Sequence, residues 1–179
     1  MIIYQSDHGH STETRTFGGG GSAGPYRGAK FSLFEGGIRV PTMISWPSHL
    51  PEDEVRDQLG TGCDWLPTIA ELCGARLPAR KLDGKSLVPV IRSADADSPH
   101  RVFHWQLRDQ WAVREGSWKL IGNPKDTSHK APITKNDRRF LVNLEQDVTE
   151  MENIADKNAA IVKRLESLHD AWAKEIAGR

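Results

Sequence analysis

Residues 102–121 read VFHWQLRDQWAVREGSWKLI. Three apolar and β-prone runs, Val102 to Leu107, Gln110 to Arg114 and Trp118 to Ile121, are separated by short polar breaks. Runs of this length with such punctuation predict three short strands joined by tight turns, with Glu115-Gly116 supplying turn chemistry between the second and third. Downstream, Asn123 to Asp137 reads as a charged loop and Phe140 to Leu144 as a fourth strand. Ile161, Leu165, Leu168, Trp172 and Ile176 then recur every three to four residues, marking one face of a helix of about five turns. Gly178 ends that pattern. A sheet and an amphipathic helix each have a face to bury, so residues 100–179 predict a two-layer α+β unit.

Upstream the pattern changes. Ser93 to Pro99 is small and polar and reads as a linker. Leu82 to Ile91 predicts a loop with one helical turn. Before it, Leu66, Ile69, Ala70 and Cys73 carry a helical period, with Asp64 as N-cap, Pro67 in the first turn and Gly74 as the terminating glycine. Pro47 to Gly62 is a loop with an acidic stretch. Ile38 to Trp46 predicts a strand entered through Gly36-Gly37, with Pro41 placing it at an edge or a bulge. Met1 to Tyr4 is a short apolar strand. The usual neighbours of such a strand are parallel strands reached by crossovers, for which little sequence is present. The expectation is a piece of a larger α/β protein.

Composition narrows the function. The 179 residues carry 24 Lys and Arg against 24 Asp and Glu, a zero balance that argues against a nucleic-acid binder. Six Trp and five Phe argue for a folded chain. The only cysteines, Cys63 and Cys73, exclude a disulfide scaffold, and C-x₉-C is not a zinc spacing. They read as small hydrophobes near the ends of the helix that starts at Asp64. No run of 18 apolar residues codes a membrane span.

Three places hold chemistry. Asp7-His8 directly follows a strand and precedes Gly9. It is either an ordinary turn or a pair offering oxygen to a hard cation and nitrogen to a cation or proton. A nucleophilic triad has no G-x-S-x-G to start from. Residues 10–30 form a glycine-rich loop ending at Lys30, which is not a phosphate loop because Phe31 follows the lysine. Lys30 is either a solvated lysine or a point charge for an oxyanion. Glu35 and Arg39 read as a structural ion pair framing Gly36-Gly37.

Together, Ser6-Asp7-His8-Gly9, the glycine-rich loop, Arg27-Gly28-Ala29-Lys30 and Phe34-Glu35-Gly36-Gly37-Ile38-Arg39-Val40-Pro41 resemble the sulfatase family. Further similarity lies in Asp64-Trp65-Leu66-Pro67-Thr68, Leu82-Asp83-Gly84-Lys85-Ser86-Leu87, Trp111 to Ile121 and Phe140 to Glu145. The segment from Lys30 to Pro41 is the most specific. The resemblance implies an α/β sandwich of the alkaline phosphatase superfamily, followed by a small α+β subdomain with a four-stranded antiparallel sheet and a C-terminal helix. Residues 1–92 would be the tail of the catalytic domain, 93–99 the linker and 100–179 the C-terminal subdomain.

It further implies a sulfuric ester hydrolase. Asp7 and His8 would hold a divalent cation, calcium in most members. Lys30 would be catalytic and would contact the sulfate, with His104 a further substrate contact and Trp105 and Arg108 candidate contributors to the same pocket. The family nucleophile is a formylglycine made in a C/S-x-P-S-R motif, which is absent from these residues. The expectation is therefore a C-terminal portion that does not turn over sulfate esters alone. Its implied partners are a sulfate ester and the missing N-terminal segment, or a second copy through the exposed strand edge, in a periplasmic or secreted setting. The alternatives are a phosphodiesterase or phosphonate hydrolase of the same superfamily, or a truncated binding module without catalysis.

Overall fold

A computed structural model describes residues 1–17 and 19–178. In chain order the elements are β1 (Ile2–Gln5), α1 (Glu35–Ile38), β2 (Thr42–Ser45), α2 (Trp65–Leu72), α3 (Val88–Arg92), β3 (Val102–Leu107), β4 (Gln110–Glu115), β5 (Trp118–Gly122), β6 (Arg139–Asn143) and α4 (Ala159–Ala177). Short 3₁₀ turns cover Thr14–Thr16 and Gly62–Asp64. The chain folds as two compact units, Met1–Gln5 with Thr42–Arg101, and Ser6–Pro41 with the chain from Val102 onward. No helix among the described residues is long and apolar enough to cross a membrane.

In the first unit β1 pairs with β2 antiparallel, Ile2 opposite Ser45 and Gln5 opposite Thr42. Among the described residues β2 is the one strand paired with β1, and no parallel neighbour is present. The strand expected from Ile38 to Trp46 is confined to β2. Pro41 has no N–H for a ladder, and Glu35–Ile38 is instead a helical turn closed by the Arg39 N–H on the Glu35 carbonyl at 2.7 Å. Ile2, Tyr4 and Met43 on the β1–β2 pair are exposed.

Asp64 does not cap α2 with its own side chain. Thr61 caps the preceding 3₁₀ turn, and Asp64 answers as the third residue of a capping box, its Oδ2 accepting the Thr61 N–H at 2.7 Å. The same buried carboxylate accepts the Lys85 N–H at 2.8 Å and meets His100 Nε2 at 2.7 and 2.9 Å. The face of α2 that packs is Pro67, Thr68 and Ala70, whereas Leu66 and Ile69 are exposed. Gly74, at φ 64°, ends the helix, and the Ala75 N–H reaches back to Ala70 at 2.8 Å. Cys63 and Cys73 are free and exposed, not buried hydrophobes. The small polar run 93–99 is tied down: Gln58 Nε2 donates to the Ala94 and Ala96 carbonyls, and Ser98 Oγ to that of Leu59.

The second unit is built on the antiparallel sheet β3-β4-β5-β6. Glu115 pairs with Trp118 across Gly116-Ser117, so that turn lies one residue beyond Glu115-Gly116. Strand alternation sends Val113, Leu120 and Leu141 to one face and Ala112, Ile121, Phe140 and Val142 to the other. On the first face α4 lays down Leu165, with Ile161 and Leu168 against the same cluster. Trp172 stacks on His104 at 4.9 Å, and His169 on Trp111 at 4.2 Å. The second face is covered by Leu33 and Phe34, with Ile38 packed beside them. The two-layer expectation thus becomes three layers: helix, sheet and the segment around α1. Burying each of these aliphatic or aromatic side chains contributes about 1.5–3 kcal/mol.

Candidate functional site

Ser6, Asp7, His8 and Gly9 turn the chain sharply after β1. Ser6 Oγ donates to the His8 carbonyl at 2.8 Å, and the Ser6 N–H to that of Pro41 at 3.1 Å. Within the turn, His8 Nδ1 lies 2.6 Å from the Gly9 carbonyl. Only a protonated Nδ1 makes that bond, so Nε2 is the nitrogen left to face outward. It lies 3.1 Å from Asp7 Oδ2, and the Asp7 side chain is 84% exposed. With Nδ1 carrying the hydrogen, Nε2 and the Asp7 carboxylate oxygen stand side by side as potential ligands of one cation. The pair fits a divalent cation as two ligands. Among the described residues no third His, Cys, Asp or Glu completes a group with them.

Three backbone hydrogen bonds gather the separated segments around this turn. The Gly9 N–H donates to the Gly37 carbonyl at 2.9 Å, the Gly36 N–H to that of Arg27 at 2.7 Å, and the Lys30 N–H to that of His10 at 2.9 Å. The approach needs glycine: a Cβ on Gly9 would lie 2.0 Å from the Gly36 oxygen, and one on Gly36 2.3 Å from the Gly28 oxygen. The glycine-rich loop therefore returns Lys30 to the segment that begins at Asp7. The Lys30 Nζ lies 3.1 Å from Glu13 Oε2 and 5.0 Å from the Phe31 ring centroid. Arg15 also holds Glu13 at 3.0 Å. Hydrogen bonds from Arg15 and then Lys30 keep the Glu13 carboxyl below its ordinary range.

Residues 27–32 are fixed from the loop after β5. The Gly28 and Ala29 N–H groups donate to Ser128 Oγ at 2.9 Å and Thr127 Oγ1 at 3.1 Å. Ser32 Oγ donates to the Lys125 carbonyl at 2.7 Å. Arg27, 1% exposed, donates to Asp126 at 2.9 Å, to the Glu150 carbonyl at 3.0 Å and to the Ala131 carbonyl at 3.1 Å. Its guanidinium lies 4.3 Å from the Phe34 ring centroid. Burial raises the Asp126 carboxyl, but hydrogen bonds from Ser128, Ala131 and Arg27 outweigh it and hold the group low.

Glu35 and Arg39 form the ion pair expected from their spacing, at 2.8 Å. The sequence reading missed two further members. Lys119 on β5 is 0% exposed and lies 2.8 Å from Glu35 Oε1 and 2.9 Å from Glu150 Oε1. Glu150 also accepts the Glu35 N–H through Oε2. Burial alone would raise Glu35, but Lys119 and then Arg39 outweigh it and bring the carboxyl down to about 2. Burial pushes Glu150 up. One signal was available: Lys119 interrupts an otherwise apolar strand at a position whose alternation points inward.

His104 lies on β3 in the helix–sheet layer. Its partners are Trp172 and His169, and burial, with His169 adding to it, lowers its imidazole to about 4. Trp105 packs against the opposite face of the sheet, and Arg108 is exposed in the β3–β4 turn at φ 58°.

The described residues thus combine a four-stranded antiparallel sheet covered on both faces with a glycine-held turn at Asp7-His8, to which the Lys30 backbone is tied through His10. Residues 1–75 match the Sulfatase family model. The chain is 30% identical to arylsulfatase A of Bos taurus over 172 residues, 87% of this chain and 33% of that protein. It is 38% identical to steryl-sulfatase of Mus musculus over 130 residues, 68% of this chain and 21% of that protein. The crystal structure of Ps i-CgsB superposes with a TM-score of 0.75 at 25% identity, covering 96% of this chain and 36% of that one. The PsFucS1 sulfatase from Pseudoalteromonas sp. shares the fold with a TM-score of 0.71 at 23% identity, covering 97% of this chain and 36% of that one. The chain belongs to the sulfatase family and spans about a third of the length of arylsulfatase A.

Proposed function

We propose that the protein acts in the hydrolysis of sulfuric esters, with the segment from Asp7 to Arg39 contributing one side of the reacting centre. Asp7 and His8 would hold a divalent cation, calcium by family resemblance. When bound, that ion supplies positive charge to polarise a sulfate oxygen. Lys30 would be the catalytic and substrate-binding residue, neutralising charge on the sulfate oxygens. To do so its ammonium exchanges the Glu13 carboxylate for the sulfate. Calcium takes six to eight oxygen ligands, so Asp7 and His8 are a partial set, and binding by this chain falls near the millimolar end of protein calcium sites. The formylglycine that the resemblance implies has no motif in these residues, so no covalent step is assigned to them. His104, which stacks on Trp172, would be a further substrate contact. Residues 1–92 are read as catalytic-domain tail, 93–99 as linker and 100–179 as C-terminal subdomain.

The observation that carries this reading is the pair of backbone bonds joining Gly9 to Gly37 and Lys30 to His10. Together they draw Lys30 and the Gly36-Gly37 turn to the segment that follows Asp7-His8. Titration of the chain with inorganic sulfate and with calcium, followed by NMR, is the test. Sulfate is expected to perturb the amides of residues 9, 10 and 30 in the wild type and not in Lys30→Ala. Calcium is expected to perturb Asp7 and His8. Equal sulfate responses in both proteins would remove Lys30 from the site.

A further inference from the structure

We propose that Glu150 and Lys119 are positioning residues that set where Lys30 stands relative to Asp7 and His8, acting through the turn at Glu35. Only the naming of what is positioned rests on the functional reading above. The connection is continuous. Glu150 Oε2 accepts the Glu35 N–H and Lys119 Nζ grips Glu35 Oε1, so the start of α1 is held by both its backbone and its side chain. From α1, the Gly37 carbonyl takes the Gly9 N–H and the Gly36 N–H takes the Arg27 carbonyl. Arg27 leads through Gly28 and Ala29 to Lys30, whose N–H closes the ring on His10.

Glu150 touches this ring twice, because its own carbonyl accepts Arg27 Nη1 at 3.0 Å. It does so from φ 57°, a backbone state that non-glycine residues seldom adopt. The Asp147 carbonyl holds that conformation by accepting the Glu150 N–H at 3.2 Å. Lys119 is anchored on the central ladder, with Val142 opposite it on β6 and Arg114 on β4. The sheet is therefore the fixed reference and the ring is referred to it.

A buried ion cluster is weak evidence for stability, since apolar residues of similar volume often serve as well or better. Directional bonds do what apolar contact cannot: they fix a backbone in one place. Every charged group in the cluster bonds to the segment at residues 27–39, which fits a positioning role.

Amide hydrogen exchange on the full chain tests this. Glu150→Met keeps volume and removes the acceptor; Glu150→Gln restores an acceptor without the charge. The expected result is exchange at Gly9, Lys30 and Gly36 at least tenfold faster in Glu150→Met, with the β4–β5–β6 ladder changed less than twofold, and protection recovered in Glu150→Gln. Unchanged protection at Gly9 and Lys30, or acceleration of the ladder by the same factor, overturns the proposal. Should Glu150→Met fail to fold, Lys119→Arg, which keeps the charge but changes its reach, is read against the same criteria. Sulfate titration of the same proteins reads the function separately. A wild type whose Lys30 does not respond to sulfate overturns the catalytic reading, while exchange still decides the positioning.

Discussion

The two faces of the β3–β6 sheet are covered in different ways. Under α4 the contact is apolar and aromatic, made by Leu165, Ile161 and Leu168 with Trp172 and His169 stacked at one end. On the other face Leu33 and Phe34 supply apolar area, but Lys119, Glu35, Glu150, Arg27 and Asp126 are buried among them. Apolar burial is non-directional, so the helix face supplies stability without needing a particular atom in a particular place. Charge-assisted hydrogen bonds are directional, so the opposite face fixes geometry. The face that fixes geometry is also the one that carries the segment leading to Lys30.

The comparison can be broken by mutation. Lys119→Met leaves two carboxylates buried without their cation and is expected to cost about 3–5 kcal/mol. Urea denaturation measures it, and a loss under about 1 kcal/mol would make the two faces alike. Leu165→Ala is expected to cost about 2–5 kcal/mol, with the Gly9 and Lys30 amide shifts unmoved. If those shifts move as much as they do in Lys119→Met, the division between stability and geometry fails. Gly9→Ala forces a Cβ into the Gly36 carbonyl and is expected to cost about 1–3 kcal/mol. NMR should place its damage at residues 9, 30 and 37, and changes spread through α4 would count against that.

Acid sharpens the contrast, because the faces titrate in different windows. His104 and His169 are held neutral by burial, His104 down to about 4, with Asp170 partly opposing the effect on His169 and Arg139 adding to it. The His104 contribution is complete above the unfolded value near 6.5 and is lost as pH falls from there toward 4, and that of His169 has the same sign. Glu35, lowered to about 2, contributes above its unfolded value and loses that contribution only as pH falls from about 4.5 to 2. Glu150, raised by burial, has the opposite sign and favours the fold when protonated. His104→Phe keeps the ring against Trp172 and removes one titration. Its urea midpoint should therefore fall less than that of the wild type between pH 7 and pH 4.5. Equal slopes would take His104 out of the acid response.

Much of the helix face was legible. The strands fell within a residue or so of their expected bounds, since alternation and turn residues are local signals. The helix stripe at Ile161, Leu165 and Leu168 packs as its period requires. At the site, the Glu35–Arg39 pair follows from four-residue spacing. The errors share a cause. Ile38 to Arg39 carry strand-like residues, yet the bonds at Gly36 and Gly37 wind Glu35–Ile38 into a turn. Asp64 looks like a cap, but Thr61, Lys85 and His100 all call on its carboxylate. Nothing local to His104 reveals its stacking partner Trp172 either, which lies 68 positions further along.

By itself the sequence determined the order of the elements, the α+β character of residues 100–179 and the family, because these rest on local periodicity and on short runs with specific residues. Only the tertiary structure decided that residues 27–38 form the third layer of the sheet, and that Lys119 faces two carboxylates rather than solvent. Those partners are separated by 84 and 31 positions. A lysine's hydrogen-bonding capacity is the same wherever it stands in the chain. Which acceptors satisfy it is settled only when distant segments are brought together, and burial then leaves no water to take their place.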